Sequence, residues 1–375
     1  MQAARERYQA LDVLRGMTVA FMIIVNTPGS WSHIYAPLQH AEWHGFTPTD
    51  LVFPSFLFVI GNAFSFSMKK LRSIGAASFF KKIVYRATMI FAIGWLLNAF
   101  PFVTYVDGHY TWKDFSAIRL WGVLQRIGFC YFFAALLMYY CNRRTLILVS
   151  ISILLAYWGI LYFGGEMGAQ YSLAGNIVGK IDLAYLPPKN IYPHYEIPFD
   201  PLGLLSSFPA IVNIIAGFLA GSYLQSSGQA KKSVVRNLLL SGLLLLLLGL
   251  AWWQVFPVNK ALWTSSYVVY ATGWDLLLLA ILILVIDIFS WRRWCKIFEV
   301  FGKNPLFIYI LSWALIVLLG IMHLPSGASV KGWVYGYFTM AFPPKCASLA
   351  FALLYSSLMW LVAWWMDRKK WYIKV

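Results

Sequence analysis

Leu238-Leu-Leu-Ser-Gly-Leu-Leu-Leu-Leu-Leu-Leu-Gly-Leu-Ala-Trp-Trp253 is an almost unbroken apolar run without a single charge. Such a run has no polar face to offer water, so it must sit in a core or in lipid. Leu276 to Ile288 is a second long apolar run, interrupted only by Asp287. A helix crossing the hydrocarbon of a bilayer needs roughly 20 mostly apolar residues, about 30 Å of rise. Working outward, comparable stretches fall near 11–28, 50–69, 79–99, 120–141, 145–163, 205–225, 234–256, 265–289, 304–322 and 345–366. Of the 375 residues, 60% are hydrophobic and only 12% charged, half the roughly 25% charge of a soluble domain. The expected fold class is therefore all-α: a polytopic transmembrane helical bundle of about ten spans, forming one domain over 1–375.

The charges orient it. Lys and Arg crowd alternate ends of the spans: Arg5, Arg7 and Arg15; Lys69 to Arg86; Arg143 and Arg144; Lys231 to Arg236; Arg292 to Lys303; and Arg368 to Lys374. These ends hold 22 of the 30 basic residues, and the opposite ends hold seven. Cytosolic loops carry the excess of Lys and Arg, so both termini are expected in the cytosol. The same asymmetry accounts for the net charge of +16 without nucleic acid. The first apolar stretch lacks a small-x-small cleavage site and reads as a retained helix. Four cysteines without paired spacing read as free thiols.

Polar groups at membrane depth are costly and mark either sites or packed contacts. On the first helix, Asp12, Arg15 and Asn26 share one face by their three- and four-residue spacing. Asp12 and Arg15 also suit a local ion pair, and Asn26 a helix end. The outer connection carries His40-Ala-Glu-Trp-His44-Gly and Thr47-Pro-Thr-Asp50. Here Thr49 or Asp50 would cap the second helix. His40, Glu42 and His44 are acid–base candidates at the outer mouth, histidine being the side chain best matched to proton transfer near neutral pH. His44 also reads as a solvated loop residue. The His-x3-His spacing lacks a third ligand, so no metal is expected. Gln125 and Arg126 interrupt an apolar span. Arg126 calls for a carboxylate such as Asp50 or Asp275, or for an anion along a polar shaft. Lys303-Asn304-Pro305 opens the ninth span, where Asn304 either caps the helix or, with Lys303, receives a phosphate at the helix N-terminus.

Several of these stretches form a collinear set. Leu11-Asp-Val-Leu-Arg-Gly16, Val25-Asn26, His40-Ala-Glu-Trp-His-Gly45, Asp50-Leu-Val-Phe-Pro54, Gly122-Val-Leu-Gln-Arg126, Phe199-Asp-Pro-Leu-Gly203 and Val258-Asn-Lys-Ala-Leu-Trp-Thr-Ser-Ser-Tyr267 resemble the transmembrane heparan-α-glucosaminide N-acetyltransferase family, within the wider transmembrane acyltransferase group. The resemblance implies an enzyme that takes acetyl from cytosolic acetyl-CoA and places it on a glucosamine-type amine on the far side. It implies that His40 is the catalytic histidine, with Asn26 beside it and Asp50 as a nearby acid. His44 stands where the family pattern usually has Asn. The compact chain is similar to a bacterial inner-membrane version, and a homodimer is implied by the resemblance alone.

Combined with the polar residues, the resemblance gives a working scheme. Arg15, Lys303 and Arg86 meet the phosphates of coenzyme A at the cytosolic mouth, with Asn304 at the adjoining helix start, and Gln125 and Arg126 line the shaft. His44, Glu42 and Trp43 face the acceptor sugar, although Trp43, like Trp31, Tyr35, Trp112 and Tyr192, also suits an ordinary membrane anchor. The rival classes are an amino-sugar transporter or permease and a non-catalytic membrane subunit.

Overall fold

The computed structural model describes residues 8–226 and 230–373. Arg5, Arg7 and Lys374 of the basic-end count lie outside them. The described chain is helical nearly throughout: α1 (Gln9–Asn26), α2 (Pro48–Ser73), α3 (Ala76–Ala99), α4 (Val123–Tyr140), α5 (Arg143–Gly164), α6 (Ile177–Tyr185), α7 (Leu204–Ser226), α8 (Lys231–Trp253), α9 (Ser265–Leu282, continued by a π-turn to Ile288), α10 (Cys295–Lys303), α11 (Pro305–Ile321), α12 (Val330–Ala341) and α13 (Pro344–Arg368). Eight of these helices are long and apolar enough to cross a bilayer, and α10 with α11, bent by 85°, makes a ninth if counted as one broken span. The chain is thus an integral, multi-pass membrane protein. The remaining expected span is α3, a helix of 24 residues with Lys81, Lys82 and Arg86 in its first half.

In lipid there is no hydrophobic drive between helices, so close backbone approach does the work. Where α2 crosses α7, a β-carbon on Gly61 would fall 1.9 Å from the Ile214 carbonyl oxygen, and one on Gly217 would fall 1.8 Å from that of Phe58. The two glycines therefore set the spacing of this crossing. Gly16 lies as close to α10, where a β-carbon would sit 1.7 Å from the Phe298 carbonyl oxygen.

Proline placement shapes the rest. Pro54 has no N–H, so the Asp50 carbonyl four residues back loses its helical donor. The Tyr267 hydroxyl of α9 donates to it instead, at 2.7 Å, and pins α9 to the start of α2. Pro305 ends the turn that separates α10 from α11.

Both described ends of the chain lie on one side. Gln9 donates to Glu299 at 2.6 Å, Lys303 pairs with Asp367 at 2.6 Å, and Asn304 holds the backbone of Trp371 and Ile373 at 2.9 Å each. The opposite side carries the long connections. They carry regular structure of their own. One holds a hairpin, Val103–Val106 with His109–Trp112, turned by Asp107-Gly108, both at positive φ, as a two-residue type I′ turn demands. Two others hold α6 and α12. Arg119 grips Asp200 with two bonds of 2.8 and 2.6 Å, tying the segment before α4 to the segment before α7.

Candidate active site

The outer site is assembled from two connections and one helix start. Thr47 caps α2 and Asp50 is the third helical residue, so the two form a capping box: Asp50 Oδ2 accepts from the Thr47 N–H at 3.1 Å, and Thr47 Oγ1 accepts from the Asp50 N–H at 3.4 Å. This corrects the expectation that Thr49 or Asp50 is itself the cap; Thr49 donates to the Pro37 carbonyl at 3.2 Å instead. The box fixes the Asp50 carboxylate and leaves Oδ1 facing outward. There it meets His40 Nδ1 at 2.7 Å. His40 is half exposed and Asp50 fully buried.

The second connection, between α8 and α9, runs alongside the first. The Gly45 N–H donates to the Val258 carbonyl at 2.9 Å. Asn259 Nδ2 lies 3.3 Å from His44 Nδ1, and Asn259 Oδ1 accepts from the Leu262 N–H at 2.7 Å. That second bond fixes the amide, so His44 Nδ1 is the acceptor and its proton sits on Nε2. Lys260 reaches His40, its Nζ 3.0 Å from Nδ1 and 3.3 Å from Nε2, and lies 3.5 Å from Asp50 Oδ1. Burial, and next the Lys260 charge, hold the His40 imidazole below its ordinary value against the opposing pull of Asp50. Burial likewise pushes the Lys260 ammonium down to about 8 and the His44 imidazole below its usual range. A neutral histidine hydrogen-bonded through Nδ1 to a buried carboxylate presents Nε2 as a base, the arrangement general-base chemistry requires.

The other expected residues separate into three places. Arg15 and Arg86 line one cavity of about 330 Å³ with Phe56, Phe64, Tyr131 and Pro305. Arg15 also pairs with Asp12 at 2.6 Å, the local ion pair that their spacing allows, and Arg86 approaches the Tyr131 hydroxyl at 3.5 Å. The cavity top at Phe56 is six residues, about 9 Å of helix rise, from Asp50. Between them Phe53 packs edge-on against Trp263, with ring centroids 5.2 Å apart, and both are buried.

Arg126 is wholly buried but meets no carboxylate among the described residues, unlike the expected pairing with Asp50 or Asp275. Asp50 is engaged by His40, and Asp275 accepts from Ser55. Arg126 instead donates to Ser206, to Ser207 at 3.2 Å and to the Gly203 carbonyl at 3.5 Å, and its guanidinium lies 4.7 Å over the Trp263 ring. Its Nη1 and the Nε2 of Gln125 are buried with no partner among the described residues. Lys303 and Asn304 hold the C-terminal segment, as described above. Replacing Lys303 with alanine is expected to cost under about 1 kcal/mol, because an exposed ion pair contributes little, and to leave coenzyme A binding unchanged; denaturation and ligand titration of the purified variant check both.

Around His40, Glu42 is exposed and has no hydrogen bond among the described residues. Trp43 donates to the Tyr171 carbonyl at 2.7 Å and packs on Tyr195 and Phe199, so it buttresses the outer connection. Asn26 ends α1 and donates to its own Met22 carbonyl at 2.8 Å, not to His40.

A model of the family described as heparan-alpha-glucosaminide N-acetyltransferase, catalytic, matches residues 7–244. The chain belongs to this family. It is 27% identical to the heparan-alpha-glucosaminide N-acetyltransferase of Homo sapiens over 362 residues, covering 83% of this chain and 53% of that protein. It is 26% identical to the Mus musculus protein of the same name, covering 82% of this chain and 54% of that one. The chain thus spans about half the length of the curated relatives it matches. His40, Asp50, Arg15, Arg86, Gln125 and Arg126 lie within the family match, whereas Lys260, Lys303 and Asn304 lie beyond it.

Lys260 was missed by sequence reasoning, where it counts only as one basic residue on the sparsely charged side. The signal present was the Val258 to Tyr267 stretch, quoted above for its resemblance but assigned no role. Arg119 and Asp200 were likewise visible only as an outer charge and part of a motif.

Proposed function

We propose that the chain is a transmembrane N-acetyltransferase of the bacterial inner membrane that moves acetyl from cytosolic acetyl-CoA to the amine of a glucosamine-type sugar on the outer side. The observation that carries this reading is the pairing of His40 with the capped carboxylate of Asp50 at the end of the bundle opposite the cavity of Arg15 and Arg86, in a chain of this family. Two guanidinium groups suit the phosphates of coenzyme A, and the cavity lies on the side where the basic residues concentrate. A phosphorylated nucleotide cannot enter hydrocarbon, so it stays at this mouth while its thin thioester arm enters the bundle. The arm passes the contact of Phe53 with Trp263, and that contact opens during the cycle.

At the outer mouth the acceptor arrives largely as an ammonium. His40 Nε2 takes its proton while Nδ1–H remains bonded to Asp50. The freed amine attacks the thioester carbon, the carbonyl oxygen gains charge, the carbon–sulfur bond breaks, and the second proton of the nitrogen passes to the departing thiolate, leaving the amide and the thiol of coenzyme A. Asn26, at the outer end of α1, is the donor we assign to the developing oxyanion, and it leaves the Met22 carbonyl to serve there. His44 borders the acceptor pocket, and Glu42 lies exposed within reach of an incoming ammonium.

Purified protein incubated with labelled acetyl-CoA and glucosamine is expected to yield labelled N-acetylglucosamine. Failure to label any member of an amino-sugar panel overturns the reading. A second expectation concerns the cavity. Loss of a charge-assisted hydrogen bond costs about 1.5–3 kcal/mol, so Arg86→Ala is expected to weaken coenzyme A binding by about 10- to 100-fold, measured by calorimetry or thermal shift, with His40 chemistry at the far mouth untouched.

A further inference from the structure

Nζ of Lys260 is nearly equidistant from the two ring nitrogens of His40, at 3.0 and 3.3 Å. The edge that joins those nitrogens is occupied by Cε1, so an atom that near to both cannot lie in the ring plane; it lies over the ring face. A cation over the face of a neutral aromatic ring is attracted to it. Over an imidazolium it is repelled.

The carboxylate gives a second, independent reason. Asp50 Oδ1 is shared by His40 at 2.7 Å and Lys260 at 3.5 Å. The other oxygen is spent on the backbone N–H groups of Ala41 and Thr47, both at 3.1 Å. One carboxylate neutralises one cation, and Lys260 already supplies it. Protonating His40 would place two positive charges on a single buried anion. The remaining groups around the cluster do not relieve this. Tyr267 reaches only the Asp50 backbone carbonyl. Tyr195, from the connection before α7, is neutral, its hydroxyl pushed up to about 12 chiefly by burial. Arg126, behind Lys260, adds a further positive charge.

We infer that Lys260 is a positioning residue that holds His40 in its neutral, Nε2-basic form through the ammonium stacked on the imidazole face. The inference deepens the proposed function and rests on His40 being the base. Its consequence is that the site keeps a free base when the outer medium turns mildly acidic, conditions under which an ordinary histidine is already protonated. Protonation of His40 then has to move the Lys260 ammonium off the ring or remove its proton, so that the two side chains together hold one positive charge. The burial that brings Lys260 down to about 8 fits a group that gives up its proton readily.

The test is carbethoxylation of His40, which reports the neutral imidazole and needs no acetyl transfer. The full-length purified protein is labelled with diethyl pyrocarbonate across pH 4.5 to 8 and His40 modification is read by peptide mass spectrometry. Lys260→Met is expected to move the His40 midpoint upward by about one pH unit or more, since removing a neighbouring like charge favours the protonated ring. Lys260→Arg restores the wild-type midpoint. The acid limb of acetyl transfer is expected to move by the same amount. An unchanged midpoint in Lys260→Met of wild-type melting temperature overturns the inference. If that variant does not fold, Lys260→Gln is read in the same way. A shifted midpoint with no acetyl transfer by the wild type keeps this inference and removes the proposed function.

Discussion

His40→Ala is expected to lower acetyl transfer by about 10²- to 10⁴-fold, the range over which a positioned general base contributes, while coenzyme A binding stays as in the wild type. The separation follows from the geometry. His40 sits on the outer connection, and the cavity of Arg15 and Arg86 begins at Phe56, on the other side of the buried Phe53 and Trp263. Removing the imidazole takes one partner each from Asp50 Oδ1 and Lys260, which still face each other at 3.5 Å, and Oδ2 keeps the capping box of α2, so the helix start survives. The measurement is the rate of labelled product beside a coenzyme A titration. Equal turnover in His40→Ala would remove the residue from the mechanism. Loss of both turnover and binding would show that the two mouths are not independent. The pH profile carries the same signature. The base works only when neutral, so activity falls as pH drops through the His40 value, and that value lies below the ordinary imidazole range because burial and Lys260 disfavour the charged ring.

Gly217→Val is expected to abolish the folded protein or lower its stability by more than the about 1–3 kcal/mol typical of an overpacked core. A side-chain clash is relieved by a change of rotamer. Here the first added atom meets the Phe58 carbonyl oxygen at 1.8 Å, and backbone has no rotamer to change. The α2–α7 crossing must widen, and Gly61, facing the Ile214 carbonyl, gives no slack. Because α2 carries Asp50 at its start and Phe56 in the cavity wall, both mouths are disturbed together. Melting of the variant in detergent by tryptophan fluorescence, compared with Gly159→Val as a control, checks this; a β-carbon on Gly159 of α5 meets nothing within 4 Å. Matching melting temperatures for the two would refute the crossing as the point of close approach.

The sequence made the membrane helices legible because each is a local property: twenty apolar residues are apolar whatever they pack against. All ten expected stretches are helices, with α11 at Pro305–Ile321 against an expected 304–322. The alternation of basic ends placed both termini on one side, and the contacts of Gln9, Lys303 and Asn304 agree. His40 with Asp50 was legible through resemblance, and the structure joins them ten residues apart through the capping box. What stayed hidden depends on partners distant in sequence. Lys260 meets a ring 220 residues away, and no spacing rule reaches that far. Arg126 was expected to seek a carboxylate or an anion along a polar shaft; two serines and an indole face hold it, because the start of α7 brings Ser206 and Ser207 onto α4, and its Nη1 has no partner among the described residues. Asn304 was read as a helix cap or, with Lys303, as a phosphate site; its side chain makes no cap and holds the backbone of Trp371 and Ile373, while Lys303 pairs with Asp367. The hairpin at Asp107-Gly108 was readable from its turn residues, yet no strand was assigned there.

Transfer of acetyl across the bilayer from one mouth to the other is read in sealed proteoliposomes of uniform orientation, with labelled acetyl-CoA supplied only on the side of Arg15 and Arg86 and glucosamine only on the side of His40. Labelled N-acetylglucosamine is expected on the His40 side, with free coenzyme A left behind on the other. Product that forms only when donor and acceptor share one compartment, or none in either arrangement, would contradict it.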